Sequence, residues 1–259
     1  MKITILANRD LASYMALSRL MKALNYHSLS IFISDKIGTS KTVPPPLQAL
    51  AAFEQQIISQ SQHTFEDLAN RGNCDLQSFT DLNNQLNSPE GIQRISVTEP
   101  DIILSIRFGL IIGEQVIAIP QHGVINLHSG VLPDYRGVMA TFRAMTNADA
   151  EIGSTLHFIQ DSSIDTGDII SIERITIQQN SSYLLNTLNL YRKGCHQLIT
   201  AVESLDRNIH IPRQAQKNKG HYFSFPTDQD LKHFTALGYQ LFDPTEVDAI
   251  NTLLADEVY

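Results

Sequence analysis

The sequence predicts an α/β protein built on a doubly wound, mostly parallel sheet with a small C-terminal appendage. Short apolar runs of strand length alternate with amphipathic segments of helix length, which is the pattern of repeated β-α-β units. The chain has 259 residues, and this length favours one large domain with an appendage over two domains of full size. We therefore expect a main domain over residues 1–206 and an extension over residues 207–259.

Hydrophobic periodicity and turn residues place the individual elements. Strands are predicted at residues 2–7, 28–34, 101–106, 124–127, 155–159 and 168–177. Helices are predicted at residues 11–24, 47–60, 113–118, from 138, and at 181–205, 227–237 and 244–255. The helix over residues 181–205 is the best defined, because its apolar side chains recur at alternating intervals of four and three. A flexible stretch is expected at residues 38–43, and the polar residues 61–98 predict no element.

Composition and charge exclude several classes of protein. Lys and Arg number 19 and Asp and Glu number 27, so the net charge of −8 has the wrong sign for nucleic-acid binding. Cys74 and Cys195 form no C-x-x-C pair, so neither a disulfide framework nor a cysteine zinc site is predicted. The N-terminal apolar run is too short for a secretion signal, and no stretch reaches the roughly 18 apolar residues of a membrane span. We expect a cytoplasmic protein without a metal and without a nucleic-acid or membrane partner.

Several common sequence motifs are absent from the chain. There is no G-x-G-x-x-G after the first predicted strand, no G-x-x-x-x-G-K-[ST], no G-x-S-x-G and no H-E-x-x-H. A dinucleotide site, a phosphate-binding P-loop, a serine nucleophile elbow and a zincin metal site are therefore all disfavoured. The residues that could carry chemistry are concentrated between residues 123 and 168.

Asn126 and His128 form the first candidate pair. They are two residues apart on a predicted strand, so their side chains point to the same side, and they lie at its C-terminal end, where open α/β sheets present ligand sites. An amide can donate a hydrogen bond to an oxyanion, and an imidazole can move a proton near neutral pH, which suggests acyl-type chemistry. The alternative is that both side chains only satisfy backbone groups where the strand meets a loop.

Other polar residues in this region leave two interpretations open. Asp165 lies in the segment I-D-T-G-D and is either a functional carboxylate or a turn residue of the kind common before glycine. Tyr135 and Arg136 belong to a loop that either faces a ligand or is simply solvated. His157, between two apolar strand residues, is expected to be a structural histidine.

The combination of these segments resembles the folate-dependent formyltransferase family. The run N-L-H-S-G-V-L-P-D-Y-R-G is followed by G-S-T-L-H and then by I-D-T-G, in the order typical of glycinamide ribonucleotide, methionyl-tRNA and sugar-nucleotide N-formyltransferases. The resemblance is strong over residues 100–205 and weak over the opening β-α-β unit. It implies a Rossmann-like sheet without the dinucleotide fingerprint, residues 1–206 as the catalytic domain, and transfer of a formyl group from 10-formyltetrahydrofolate to an amine.

The resemblance also implies roles for individual residues. Asn126, His128 and Asp165 become the catalytic set, in which Asn126 donates to the oxyanion and Asp165 holds the imidazole and relays a proton through water. His128 is either the proton-transfer group or a charged second donor, and both roles stay open. By similarity, residues around Leu110, Ile111, Ile112 and Asp161 bind the folate, and the loop with Tyr135 and Arg136 faces the amine.

Four departures from the family pattern narrow the expected acceptor and reaction. Ser129 and Gly130 follow the histidine, where many relatives have Pro-Ser, and we expect this to alter the loop that faces the amine. Residues 7–11 replace the Gly-Ser-Asn phosphate loop of the ribonucleotide-specific members, so glycinamide ribonucleotide is not expected as acceptor. About 50 residues follow Leu205, too few for the barrel of the tRNA-specific members, and the sequence begins with the first strand, so we expect neither this barrel nor the regulatory domain of the hydrolases.

The leading expectation is therefore an N-formyltransferase of one-carbon metabolism that acts on a small amine in a biosynthetic side path. A nucleotide-linked amino sugar is the first candidate acceptor, and a hydroxyornithine-type amine of siderophore synthesis is the second. The alternatives are a formyltetrahydrofolate hydrolase and a non-catalytic binding module of the same fold. Assembly as a homodimer is left open.

Overall fold

Nine strands occur in the part of the chain that the computed structural model describes, residues 1–34, 43–60, 64–218 and 220–255. The strands are β1 (Lys2–Asn8), β2 (Ser28–Ser34), β3 (Asp75–Ser78), β4 (Ile102–Ile106), β5 (Val124–His128), β6 (Tyr135–Gly137), β7 (Glu151–Ile159), β8 (Ile169–Thr176) and β9 (His221–Phe223). Seven of them form one sheet in the order β3-β2-β1-β4-β5-β7-β8, and β6 pairs with β9 in a separate two-stranded sheet.

The central sheet is parallel from β3 to β5 and antiparallel from β5 to β8. Ile5 of β1 pairs with Ile31 of β2 on one side and with Leu104 of β4 on the other. The chain therefore leaves β1 in one direction across the sheet and returns to its other side, which is the topological switch point of doubly wound sheets. The predicted doubly wound, mostly parallel α/β fold is confirmed.

The helices cover both faces of this sheet. They are α1 (Leu11–Ala23), α2 (Pro45–Gln60), α3 (Phe65–Arg71), α4 (Pro89–Ser96), α5 (Glu114–Ile117), α6 (Ala140–Thr146), α7 (Tyr183–Asp206), α8 (Asp228–Ala236) and α9 (Val247–Ala255), with short 3-10 turns at residues 80–82 and 244–246. None of the described helices is both long and apolar enough to cross a membrane.

Alternation along the strands divides the core between the two faces. Ile5 and Ala7 of β1 belong to the larger cluster, whereas Leu6 between them belongs to the smaller one on the opposite face. The predicted apolar stripe of α7 is confirmed and packs into the larger cluster, with these side chains at most 2% exposed: Leu184, Leu188, Tyr191, Cys195, Leu198 and Val202. Helix α7 thus supports the strands that end at the candidate site.

The sequence has no periodicity from which elements could be predicted in residues 61–98, and the structure supplies them. The described part of this segment forms α3, β3, a 3-10 turn and α4. These elements are short and polar because β3 is the edge strand, and capping defines the helices: Thr64 and Asp67 form a capping box at α3, and Ser88 caps α4. Most of the stretch expected to be flexible, residues 38–43, lies outside the described residues.

The C-terminal residues pack against elements that precede residue 206. Strand β9 runs parallel to β6, and Phe234 of α8 stacks near Phe142 of α6 with 4.5 Å between ring centroids. Helix α9 packs on α7. The extension therefore contributes to the surroundings of the loop that follows β5, while the domain division at residue 206 stays a prediction.

Candidate active site

The candidate site lies where β5 and β7 meet the turn before β8. Asn126 and His128 occupy alternate positions at the end of β5, and the antiparallel register places His157 of β7 directly opposite Asn126. Side chains of directly opposed residues project from the same face of a sheet and lie within contact distance. Asp165 follows in the connection between β7 and β8. The pairing of β5 with β7 therefore brings four polar residues together.

The carboxylate of Asp165 is the centre of this cluster. One oxygen, Oδ2, lies 3.6 Å from Nδ1 of His128 and accepts a hydrogen bond of 2.8 Å from the backbone N–H of Gly137. The other oxygen, Oδ1, lies 3.4 Å from Nε2 of His157 and 3.5 Å from Nδ2 of Asn126. The structure thus brings together the three residues predicted to be catalytic and adds a second histidine.

Opposing effects act on the pKa of Asp165. Its side chain is only 9% exposed, and burial by itself would raise the pKa. The neighbouring charge of His128 and the backbone N–H of Gly137 outweigh burial and hold the pKa well below its usual range. The carboxylate is therefore ionised at any pH at which the protein is expected to work.

The hydrogen bonds of His128 indicate its protonation state. Its Nε2 lies 2.6 Å from the carbonyl oxygen of Tyr135, and because a carbonyl can only accept, Nε2 must carry a hydrogen. The other ring nitrogen faces the ionised carboxylate of Asp165. A positive charge on this ring, if it forms during the reaction, would therefore lie beside the negative charge of Asp165.

His157 is held in the complementary form. Its Nδ1 lies 2.9 Å from the carbonyl oxygen of Phe158 and must donate to it. In the neutral ring Nε2 is then an acceptor, and the amide nitrogen of Asn126 donates to it over 3.0 Å. The sequence predicts His157 as a structural residue, whereas the structure shows that it fixes which end of the Asn126 amide is turned toward Asp165. The alternation along β7, combined with its pairing to β5, is the signal from which this contact of His157 could have been predicted.

Gly130 lets the loop after β5 pass close to His128. A Cβ atom at this position would lie 2.7 Å from Nε2 of His128 and 2.5 Å from the Cβ of Ala140. A larger residue could not be accommodated without moving the imidazole or α6. The Ser-Gly pair that departs from the family pattern is therefore matched to the position of His128 in this chain.

A cavity of about 510 Å³ opens beside the cluster, within the usual volume range of small-molecule sites. Its wall includes Asn126, His128, His157 and Asp165. The residues predicted to bind folate also line it, namely Leu110, Ile111, Ile112 and Asp161. The cavity therefore joins the predicted catalytic residues to the predicted folate-binding segment.

Of the described residues, Tyr135 and Arg136 are the two predicted site residues that do not line this cavity. The Tyr135 hydroxyl donates to Oδ2 of Asp149 over 2.6 Å, and its ring stacks near Phe223 of β9. Nε of Arg136 donates to the carbonyl oxygen of Ile164 over 2.9 Å. Only the backbone of Tyr135 reaches the cluster, through its carbonyl oxygen and His128.

Comparison with known proteins assigns the family. The family model described as formyl transferase matches residues 42–195, more than half of the chain. The chain belongs to the formyl transferase family. A methionyl-tRNA formyltransferase from Syntrophomonas wolfei subsp. wolfei is 30% identical over 194 residues, which are 70% of this chain and 60% of that protein. The chain thus aligns with less than two thirds of this curated relative.

Solved formyltransferases share the fold. The sugar 3N-formyl transferase WlaRD, crystallised in the presence of dTDP and 5-N-formyl-THF, has a TM-score of 0.57 at 20% identity, covering 86% of this chain and 69% of that one. Glycinamide ribonucleotide transformylase 1 from Symbiobacterium toebii has a TM-score of 0.57 at 12% identity, covering 83% and 93%. At these identities the likeness concerns the fold, and it agrees with the family assignment.

A second group of buried charges lines the cavity of this formyl transferase family member near the end of β1. Nε of Arg107 donates to both carboxylate oxygens of Asp10, at 3.0 and 2.8 Å. The same carboxylate accepts from the backbone N–H of Ser13 and caps α1. Burial, reinforced by the neighbouring charge of Asp10, raises the pKa of Glu54 to about 8. No motif in the sequence indicates this group, because its members come from three distant segments.

Replacement of Glu54 by Gln should stabilise the protein in a pH-dependent way. The folded state keeps the Glu54 proton up to about pH 8, whereas an unfolded Glu loses it near its ordinary pKa of 4.5, so wild-type stability falls as pH rises between these values. Gln keeps the shape without the charge. Thermal unfolding should show equal Tm values near the lower pH and a growing advantage for Glu54→Gln toward pH 8. A constant difference across the range, with exposed Glu173→Gln as control, would contradict the assignment.

Replacement of His157 by Phe should impair formyl transfer without unfolding the protein. Phe fills a similar volume but cannot accept the Asn126 N–H, so the amide loses its fixed orientation. We expect kcat to fall on the order of 10- to 100-fold, because a misoriented oxyanion donor loses much of its effect. Steady-state kinetics would measure this, with His196→Phe on the exposed face of α7 as matched control. Unchanged kcat in His157→Phe would leave His157 a structural residue.

Proposed function

We propose that this protein transfers a formyl group from 10-formyltetrahydrofolate to a small amine, and that a nucleotide-linked amino sugar is the first candidate acceptor. The observation that carries the proposal is the convergence of Asn126, His128 and Asp165 on one cavity. Membership of the formyl transferase family supports the reaction class. The cytoplasmic location expected from the sequence belongs to the same proposal.

The cavity has the chemistry that a folate requires. The segment Leu110–Ile112 supplies apolar side chains and main-chain groups along one wall, and Asp161 lies on the loop before Asp165. A flat heteroaromatic ring with amide-like edges can pack on such a wall and hydrogen-bond to main-chain atoms. WlaRD, a structural neighbour, was crystallised in the presence of 5-N-formyl-THF. These observations favour a reduced formyl folate as the donor.

The proposed reaction forms one C–N bond and breaks another. The acceptor amine attacks the formyl carbon, the bond from that carbon to the folate nitrogen breaks, and the amine loses a proton that the folate nitrogen gains. Negative charge develops on the formyl oxygen during attack. The Asn126 N–H that makes the long, 3.5 Å contact with Asp165 would turn to donate to this oxygen, where a positioned donor is most effective.

His128 and Asp165 would act on charge and on the proton. Asp165 lies beside Nδ1 of His128, and this position suits both of its candidate roles: moving the proton, or stabilising the developing oxyanion as a charged second donor. Asp165 would hold the imidazolium and accept the amine proton through a water molecule. Its low pKa keeps it ionised, and the same low pKa makes it a relay rather than a final acceptor of the proton.

The end of the cavity near β1 and α1 helps to distinguish the candidate acceptors. The N-terminus of α1 could otherwise bind a phosphate, but the carboxylate of Asp10 caps it. This supports the expectation that glycinamide ribonucleotide is not the acceptor. A nucleotide-linked amino sugar is supported by the structural likeness to WlaRD, a sugar 3N-formyl transferase that was crystallised in the presence of dTDP. The net charge of −8 opposes a nucleic-acid acceptor.

A screen of amines tests the proposal. The protein is incubated with 10-formyltetrahydrofolate and a dTDP-linked amino sugar or hydroxyornithine, release of tetrahydrofolate is followed by absorbance, and mass spectrometry identifies the formylated product. Formylation of the amino sugar would support the full proposal, and formylation of hydroxyornithine alone would change the acceptor. Tetrahydrofolate release without any amine would identify a hydrolase. Folate binding without turnover would identify a binding module.

Asn126→Ala should reduce turnover with little effect on folate binding. If the amide stabilises charge only in the transition state, kcat should fall on the order of 10²- to 10³-fold. Stopped-time product assays give kcat, and titration with a folate analogue gives the dissociation constant. A variant with near wild-type kcat would remove Asn126 from the mechanism.

Asp165→Asn separates the chemistry of Asp165 from its place in a turn. The residue has a φ of +54°, a left-handed conformation that Asn also tolerates, so the turn should be preserved. Asn would present an N–H where His128 needs an acceptor, and activity should fall on the order of 10²-fold or more. Thermal unfolding with and without a folate analogue is the control. Full activity in this variant would refute the assignment of Asp165.

A further inference from the structure

A short segment of the C-terminal extension lies along the turn that carries Asp165. Gln214 exchanges two backbone hydrogen bonds with Ile169, of 2.9 and 2.8 Å. The guanidinium of Arg213 stacks over the ring of Phe158, 3.7 Å from its centroid. These contacts fix residues 213–216 against the beginning of β8. The segment lies beyond residue 195, where the match to the family model ends.

Gln216 makes the contact that reaches the turn itself. Its side-chain nitrogen donates to the carbonyl oxygen of Asp165 over 3.0 Å and to the carbonyl oxygen of Gly167 over 2.9 Å. An amide nitrogen has two hydrogens, and here each of them is donated to one carbonyl oxygen of the turn. Gln216 therefore holds the backbone of the turn at two carbonyl groups, one of them that of Asp165 itself.

The backbone of this turn needs such support. Asp165 has a φ of +54°, which is a costly conformation for a residue with a side chain. Gly167 passes so close to the carbonyl oxygen of Phe158 that a Cβ atom would clash with it. Arg136 holds the carbonyl oxygen of Ile164 from the side of β6. From the side of the extension, Gln216 binds the carbonyl oxygens of Asp165 and Gly167. Together these contacts orient the Asp165 carboxylate toward His128.

We propose that Gln216 is a positioning residue for the formyl-transfer site and that the C-terminal extension is a working part of that site. Gln216 touches no reacting atom. It acts through the Asp165 backbone, and so on the distance and angle between the Asp165 carboxylate and the His128 imidazole. This inference rests on the proposed function for its kinetic consequence, but the contact itself can be tested without turnover.

The kinetic experiment compares Gln216→Met, which keeps the length of the side chain and removes both donors, with Gln229→Met on the exposed surface of α8. Gln216→Met should lower kcat by about tenfold or more and leave the KM values for folate and acceptor within about twofold, because misplacement of a catalytic group costs rate more than binding. Gln229→Met should leave both quantities unchanged. Gln216→Lys, which restores donors at similar reach, should recover part of the loss.

A double-mutant cycle separates positioning from general stability. In the Asp165→Asn background the loss caused by Gln216→Met should shrink to within about twofold, because the two residues act through one group. Full additivity of the two losses would overturn the proposal. So would a kcat of Gln216→Met within about twofold of wild type, or loss of folded protein in both Gln216 variants.

A spectroscopic measurement keeps the inference independent of the reaction. The carbon–proton signal of the His128 imidazole, followed by NMR, responds to the position of the Asp165 carboxylate and should move in Gln216→Met but not in Gln229→Met. If the wild-type protein transfers formyl to no amine, the proposed function fails while this shift still decides the role of Gln216. An unmoved His128 signal would overturn the inference even in an active enzyme.

Discussion

The ionised carboxylate of Asp165, buried between two imidazoles, is the feature on which the site depends. A buried carboxylate is stable only when charges and hydrogen bonds replace the lost water. Here His128 lies beside one carboxylate oxygen, and the backbone N–H of Gly137 donates to the same oxygen. The residues predicted to be catalytic are therefore also the residues that stabilise the buried charge.

The mixed sheet makes that arrangement geometrically possible. Parallel strands end together at one edge, which brings the end of β5 to the cavity. The antiparallel pairing of β7 with β5 then sets His157 opposite Asn126, and the return into β8 places Asp165 over both. A fully parallel sheet would have required a crossover helix at this point, and the turn could not have approached the same side chains.

Sequence reasoning could predict the elements and residues whose signal is local. The periodicity of α7 and the apolar runs of the inner strands follow from burial alone, so these elements could be predicted from the sequence. The N-x-H pair and the I-D-T-G segment carried the family resemblance. The edge elements between residues 64 and 96 were missed because an edge strand buries little. The roles of His157 and Glu54 depend on pairing between distant segments, which one-dimensional spacing does not reveal.

Pairing between distant segments also explains why two of the predicted site residues do not line the cavity. Tyr135 and Arg136 come shortly after His128 in sequence, but both belong to β6, which pairs with β9. The Tyr135 hydroxyl donates to Asp149. Proximity in sequence to a site residue predicted a position for the backbone and not for the side chain. The carbonyl oxygen of Tyr135 does reach His128.

The pairing of β6 with β9 has a consequence for the exchange of parts between relatives. Tyr135 pairs with His221 on one edge while its carbonyl oxygen binds His128 on the other. An extension grafted from another protein would therefore meet a loop that was shaped by a different partner strand. A chimera that swaps the extension together with residues 131–137 keeps β6 with its own partner strand β9. The part of this protein that would have to be exchanged as one unit is thus discontinuous in sequence, and it includes the loop that follows β5.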